Sequence, residues 1–413
     1  TKTHSAHSHT DIALVIVNIG KHRNDFEINA HGFHRSQSWQ LLKIIRHYVI
    51  TLQELPNHAA SILDLVLKCR NSVRLFQLVI ATKMLCFGRA YPAISRILPS
   101  CVRPYSSAVI PDEKGFQLGG IYPPLTTPFN ADETISFDKL ADNLTQYARI
   151  PFAGYVVQGS NGEYPFLEKE EKLQIVKFVK DFIKESNKPL IAGSGCESTK
   201  ATIRLTEEMA ACGADAVMVV TPSYFKISMN DAAMIAHYTT VADSSPVPVI
   251  LYSVPANTGI DLSIDAIQIL AKHPNIIGLK DSGGDVTRIG SIVQKTRGQD
   301  FKVLSGSASF LLPSYLAGSV GGVCALANVL GDVLCHMHSL YEKNIIDKEL
   351  QRRLIDPNNM VTRRFGVAGM KAALDMFGYY GGPNRSPMLS VSAEARLVIK
   401  KAFVDNEFVP QSR

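Results

Sequence analysis

Between residues 119 and 345 the chain repeats one pattern eight times: a short run rich in Val, Ile and Leu, then a stretch with apolar residues at helical spacing. The runs are GGIYPPLTT, GYVVQGS, PLIAGSG, AVMVVTP, PVILYSVP, IIGLKDSG, KVLSGSA and VGGVCAL. Strands that are apolar at consecutive positions are covered on both faces, which is the condition of a parallel sheet. Eight such units in about 225 residues predict an α/β fold, a closed (β/α)8 TIM barrel. Ser198, Asn230, Ser263 and Asp285 stand where helix N-caps belong, and Gly213 and Gly318 where helices stop. The competing doubly wound sheet would want a phosphate loop, and neither GxGxxG after the first strand nor GxxxxGK[ST] occurs. Residues 346–413 read as a C-terminal helical extension, with YYGGPNRSP as a turn, packed against the barrel or a partner subunit.

Charge matters here only once it is divided. The chain carries +6, a value that would suit a nucleic-acid partner, but residues 1–118 hold 14 of the 43 Lys/Arg and 7 of the 37 Asp/Glu, leaving 29 against 30 for the rest. The barrel therefore has no electrostatic footprint for DNA or RNA. The longest apolar runs, such as residues 12–17, fall far short of the ~20 residues of a membrane span, so no membrane is expected. Seven cysteines form no CxxC pair, which predicts free thiols in a reducing compartment.

Residues 1–83 hold eight of the twelve histidines and show no domain-like periodicity. His4, His7 and His9 lack partners at ligand spacing, so a polar tail, and no metal, is expected there. From Met84 the texture changes: Arg89, Arg96 and Arg103 stand among serines, with no acidic residue before Asp112. That composition predicts a mitochondrial transit peptide over 84–105, processed near Ser106, with residues 1–83 a non-native or disordered upstream segment.

In a barrel of this kind chemistry gathers at the C-terminal ends of the strands. Strand two ends with Ser160, Asn161 and Glu163, strand four with Tyr224, strand five with Tyr252, strand six with Lys280 and Ser282, and strand seven with SGSAS around Gly306. Each has a bland reading: Gly159 and Gly162 make a turn, Tyr252 fills a core, SGSAS holds a phosphate, and Lys280 snorkels to solvent. Together they place an amine, two phenols and a hydroxyl on one rim. His237, His273, His336 and His338 fall on or beside helices, away from it. A desolvated lysine amine can attack a ketone to form a Schiff base, and a phenolate in a hydroxyl chain can take a proton as a carbon–carbon bond breaks. A phosphate-binding isomerase would need a rim carboxylate or histidine, and a scaffold barrel would need neither Lys280 nor Tyr252.

GSNGE, YSVPANTG and GLKDSGG, in this order, resemble the dihydrodipicolinate synthase and N-acetylneuraminate lyase family of pyruvate-dependent class I aldolases. The likeness runs from about Gly119 to the C-terminal helices, and QGSNGEYPFL, AGSGCEST, GGVCALANVLG, VTRRFG and FGYYGGP sharpen it toward one branch. What this resemblance implies is cleavage of 4-hydroxy-2-oxoglutarate to pyruvate and glyoxylate, the last step of hydroxyproline breakdown, in the mitochondrial matrix. The enzyme so implied is a homotetramer, a dimer of dimers, acting on a 2-oxo acid without metal or organic cofactor. Lys280 then matches the Schiff-base lysine and Tyr252 the proton-transfer residue. Ser160 and Asn161 match the pair that holds the substrate carboxylate, Ser282 and Gly306 complete the pocket, and Tyr224 matches a tyrosine that reaches a neighbouring subunit's site. Two departures stand out. The synthase branch has two hydroxyl residues where this chain has Ser160 and Asn161, and an Arg where it has Asn257. Losing that guanidinium removes a bidentate carboxylate clamp, which weighs against dihydrodipicolinate synthesis. Another pyruvate-dependent lyase or synthase of the family is the alternative activity.

Overall fold

Each of the eight apolar runs forms a strand, and a helix follows each one. The computed structural model describes residues 14–19, 26–31 and 116–409. The chain divides into two units, residues 1–103 and 104–413. Of the first, an antiparallel pair is described, Leu14–Ile19 with Phe26–His31. The expected transit peptide lies outside the described residues.

In the second unit the strands are β1 Gly120–Tyr122, β2 Tyr155–Val157, β3 Leu190–Gly193, β4 Ala216–Val220, β5 Val249–Ser253, β6 Ile276–Asp281, β7 Lys302–Ser305 and β8 Gly321–Val323. The helices after them are α1 Phe137–Tyr147, α2 Lys169–Ile183, α3 Thr199–Ala211, α4 Asp231–Ser244, α5 Ile264–Leu270, α6 Val286–Lys295, α7 Leu311–Leu316 and α8 Gly331–Glu342. The strands form one sheet in the order β1-β8-β7-β6-β5-β4-β3-β2, with every pairing parallel. A parallel bridge between Pro124 and Val156, with the Leu125 N–H donating to Val156 O at 2.8 Å, brings β1 against β2 and closes the barrel.

Side-chain alternation divides the strand residues between two cores. Val156, Ile191, Met218, Ile250, Leu304 and Val323 fill the barrel interior. Val217, Val219, Leu251, Leu279 and Val303 point outward to the helices. Each such aliphatic side chain contributes about 1.5–3 kcal/mol on burial, which is why both faces of the sheet are apolar. All four expected N-caps cap: Ser198, Asn230, Ser263 and Asp285 accept backbone N–H bonds from the first turns of α3, α4, α5 and α6. Gly213 and Gly318 adopt φ 101° and 102° just past α3 and α7.

The C-terminal extension comprises α9 Lys348–Arg353, α10 Ile355–Asn359, a π-helical turn Met360–Arg364, α11 Gly366–Met376 and α12 Ala393–Asp405. It packs on the barrel, against the loops that follow the strands. Gln351 accepts the Leu312 N–H at 2.7 Å and donates to Ala308 O at 3.0 Å, and the Asn358 amide donates to Ser307 Oγ at 2.9 Å. α11 touches the short turn Ser160–Gly162 after β2. Among the described residues, no helix is long and apolar enough to cross a membrane.

Candidate active site

Register decides which strand ends meet. Val220 on β4 is level with Tyr252 on β5, Tyr252 with Lys280 on β6, and Lys280 with Leu304 on β7. Residues level on neighbouring parallel strands face the same side, so these four form the last interior layer beneath the C-terminal rim. Lys280 and Tyr252 are each 4% exposed. The Lys280 Nζ lies 4.1 Å from the centre of the Tyr252 ring. A lysine that deep does not snorkel.

The next residue, Asp281, faces the helices by the same alternation. Its carboxylate is wholly buried and accepts from Arg288 Nε at 2.9 Å and from the Gly283 N–H at 2.9 Å. Burial raises the Asp281 pKa, and its bonds with Arg288 and Gly283 act against that rise. Arg288 also pairs with Asp261 at 3.0 Å, and Asp261 accepts from Ser253 Oγ at 2.6 Å. The carboxylates beside the site thus tie β5 and β6 to α6 and leave the amine to the phenol.

Tyr252 is set apart from the other buried tyrosines by its partners. Burial raises its pKa, but the Lys280 charge and hydrogen bonds with Ser160, Ser282 and Lys280 outweigh burial and hold the phenol below the ordinary 10.0. Tyr122 and Tyr164, without such a set, are pushed up to about 12 by burial. The Tyr252 hydroxyl lies 3.4 Å from Ser160 Oγ, and Asn257 Nδ2 donates to that same oxygen at 3.3 Å. An amide nitrogen can only donate, so Ser160 accepts from Asn257 and keeps its own proton free for the tyrosine oxygen. With the Ser160 proton turned to Tyr252, the chain Asn257 to Ser160 to Tyr252 stabilises the phenolate, in line with the lowering of the phenol's pKa by Ser160.

Ser160 and Asn161 lie half-buried on a 3-10 turn, Ser160–Gly162, flanked by Gln158 and Glu163 at φ 59° and 55°. Gly306 donates its N–H to Asp281 O at 2.7 Å, and a Cβ there would overlap Ser282 Oγ and stand 2.6 Å from Asp281 O. Only glycine lets β7 pass so close to Ser282. The hydroxyls of SGSAS are engaged internally: Ser305 Oγ donates to Ser307 O at 3.0 Å, Ser307 and Ser309 share a bond of 3.1 Å, and Asn358 donates to Ser307. This favours a structural role for the loop over phosphate binding.

The structure thus brings together Lys280, Tyr252, Ser160, Ser282 and Gly306, with Asn161 next to Ser160 on its turn. It does not bring Tyr224 to them within one chain. Tyr224 is 78% exposed on the loop after β4, its ring against Phe225, its N–H and that of Ser223 bonded to Glu197 at 2.9 Å each. The four histidines lie away from the rim, as expected: His237 on α4 bonds Thr199, His273 bonds Asp243, and His336 and His338 sit on α8. An open cleft of about 910 Å³ between α1 and the extension, lined in part by Lys139, Asn143, Tyr379 and Arg396, holds none of the site groups. Asn257 is the group that sequence reasoning undervalued. Its place reads as a lost clamp, and only the fold shows its amide on Ser160. Taken together, a buried amine, a phenol whose pKa lies below the ordinary value and an ordered hydroxyl equip the rim for Schiff-base chemistry on a carbonyl compound.

Residues 117–405 match the model of the dihydrodipicolinate synthetase family. A probable mitochondrial 4-hydroxy-2-oxoglutarate aldolase of Emericella nidulans is 32% identical over 292 residues, 70% of this chain and 94% of that one. A 4-hydroxy-tetrahydrodipicolinate synthase of Natronomonas pharaonis is 31% identical over 70% of this chain and 97% of its own length. Among solved structures, a dihydrodipicolinate synthase from Bacillus anthracis superposes with a TM-score of 0.66 at 30% identity, over 71% of this chain and 99% of that one. A prophage protein of the same family from E. coli, solved with pyruvate, gives 0.66 at 26% identity, over 70% of this chain and 99% of its own.

Proposed function

The chain belongs to the dihydrodipicolinate synthetase family of lyases, and from that premise we propose that it is a Schiff-base aldolase cleaving 4-hydroxy-2-oxoglutarate to pyruvate and glyoxylate. The observation that carries this reading is the Lys280 amine 4.1 Å from the ring of a phenol held below its usual pKa. The Lys280 amine adds to the C2 ketone and loses water, giving an iminium that can accept an electron pair. Tyr252, as phenolate, takes the C4 hydroxyl proton. The C3–C4 bond then breaks: its electrons pass to the iminium to form an enamine, and the C4 fragment leaves as glyoxylate. Protonation at C3 and hydrolysis of the regenerated iminium release pyruvate and free Lys280. Ser160 and Asn161 hold the substrate carboxylate, with Ser282 and Gly306 shaping the pocket wall.

Asn257, where the synthase branch has an arginine, favours the aldolase over dihydrodipicolinate synthesis, because an amide bonded to Ser160 offers no bidentate carboxylate clamp. The same reading makes the protein a mitochondrial matrix enzyme of hydroxyproline catabolism, in keeping with the Arg-rich, acid-free stretch at 84–105 and the fungal relative's name. It also makes it a homotetramer in which the exposed Tyr224 serves a neighbouring site.

The test is incubation with 4-hydroxy-2-oxoglutarate, with glyoxylate release as the readout, beside borohydride reduction in the presence of pyruvate. Release of glyoxylate, and a reduced adduct mapped to Lys280 that Lys280→Met loses, are the expected results. Trapping of pyruvate without glyoxylate release would move the reading to another pyruvate-dependent lyase or synthase, and an unmodified Lys280 would sink the mechanism.

A further inference from the structure

Glu163 and Lys371 form an ion pair sealed inside the protein, each 1% exposed, with Lys371 Nζ 2.5 Å from Glu163 Oε1. Glu163 sits one residue past the turn Ser160–Gly162, in the left-handed region. Lys371 comes from α11 of the C-terminal extension. The carboxylate also accepts the Arg385 N–H at 3.0 Å and the Asn384 amide at 3.4 Å, both from the turn after α11. Lys371 gives a second bond to Pro383 O at 2.7 Å and lies 4.5 Å from the centre of the Phe129 ring. Arg385 caps the same ring at 4.4 Å and forks onto Glu171 at 2.6 and 2.7 Å. A side chain at Gly381 would overlap the Lys371 carbonyl, so the turn can lie this close to α11 only through a glycine.

A buried pair of charges is a poor way to gain stability, since desolvation consumes most of the attraction; its best-attested use is to fix one arrangement among several. What this pair fixes is the far end of the turn that carries Ser160 and Asn161. The near end is held by Gln158, whose amide donates to Lys172 O, and the last residue of the turn by Thr127 Oγ1 donating to Gly162 O at 2.7 Å. Without the extension, Glu163 would be a left-handed residue with an unpaired carboxylate, directly after the residue that Thr127 holds.

Resting on the aldolase reading, we propose that the Glu163–Lys371 pair is a positioning device, by which the C-terminal extension sets Ser160 and Asn161 in place for the substrate carboxylate. Neither residue touches the reacting atoms. The extension is then part of the binding machinery and not a mere cover over the barrel.

Lys371→Met tests this in the full chain, read by hydrogen exchange and by steady-state kinetics. Exchange across residues 158–166 should rise while β5 and β6 keep their protection. KM for 4-hydroxy-2-oxoglutarate should rise by up to about 10²-fold, the cost of a small misplacement of a binding group, with kcat falling less. Unchanged protection in the turn, or a fall confined to kcat, overturns the proposal, whereas a purely structural role would loosen β5 and β6 as well. Should the lone buried carboxylate prevent folding, Glu163→Leu/Lys371→Met removes both charges; its turn should still exchange faster than wild type, and wild-type exchange there refutes the idea. If the wild type neither releases glyoxylate nor traps pyruvate, the aldolase reading fails, and exchange in 158–166 still decides whether the pair holds the turn.

Discussion

Replacing Tyr252 by Phe takes one oxygen from the site and leaves the ring, with its contact to Lys280, in place. That oxygen lies 3.4 Å from Ser160 Oγ and also bonds Ser282 and Lys280. Removing it leaves those donors short of an acceptor, a cost of about 1–3 kcal/mol to stability. For a protein of this size that is a fall of a few degrees in melting temperature. Loss of the proton acceptor weighs more: general acid–base catalysis supplies roughly 10²–10⁴-fold, or about 3–5 kcal/mol of barrier. Turnover measured by glyoxylate release should therefore drop by at least about 10²-fold in Tyr252→Phe, while the pyruvate adduct on Lys280 still forms, more slowly. The pH dependence carries the sign. Because the folded phenol sits below its unfolded value, activity that needs the phenolate should rise with pH and level off before the ordinary range near 10.0. By the same linkage Tyr252 adds stability as pH climbs from its folded pKa toward 10.0, and none below that window. Near-wild-type turnover in the phenylalanine variant, or a flat wild-type profile, would refute the reasoning.

Ser160→Ala removes a hydroxyl whose bond lowers the Tyr252 pKa, so the midpoint of the pH–kcat profile should move to higher pH; an unmoved midpoint would show that Ser160 does not tune the phenol. Gly306→Ala should cost about 1–3 kcal/mol by overpacking against Ser282 and should slow adduct formation, as a denaturant midpoint and borohydride trapping will report. Wild-type behaviour in both would mean that the strands shift apart freely. Tyr224→Phe mixed with Lys280→Met should recover activity in hybrid oligomers if the exposed tyrosine completes a neighbour's site, and no recovery would count against that sharing.

Much of the fold was legible in the sequence because its determinants are local. Eight apolar runs and the caps at Ser198, Asn230, Ser263 and Asp285 each act over a few residues, so periodicity and end chemistry place the strands and helices without knowledge of the whole. The candidate residues were legible too, since an amine at the end of a buried strand and a tyrosine at the end of its neighbour are both written in the local pattern. What the sequence could not place is what depends on closure. That Tyr252 and Lys280 stand level follows from the register between β5 and β6, and that the Asn257 amide meets Ser160 follows from β2 and β5 curving round one barrel. Glu163 and Lys371 give no sign of each other along the chain: one reads as a turn residue, the other as a helical lysine. Only when the extension folds back over the strand ends do the two charges meet out of water, where pairing is the one arrangement that burial permits.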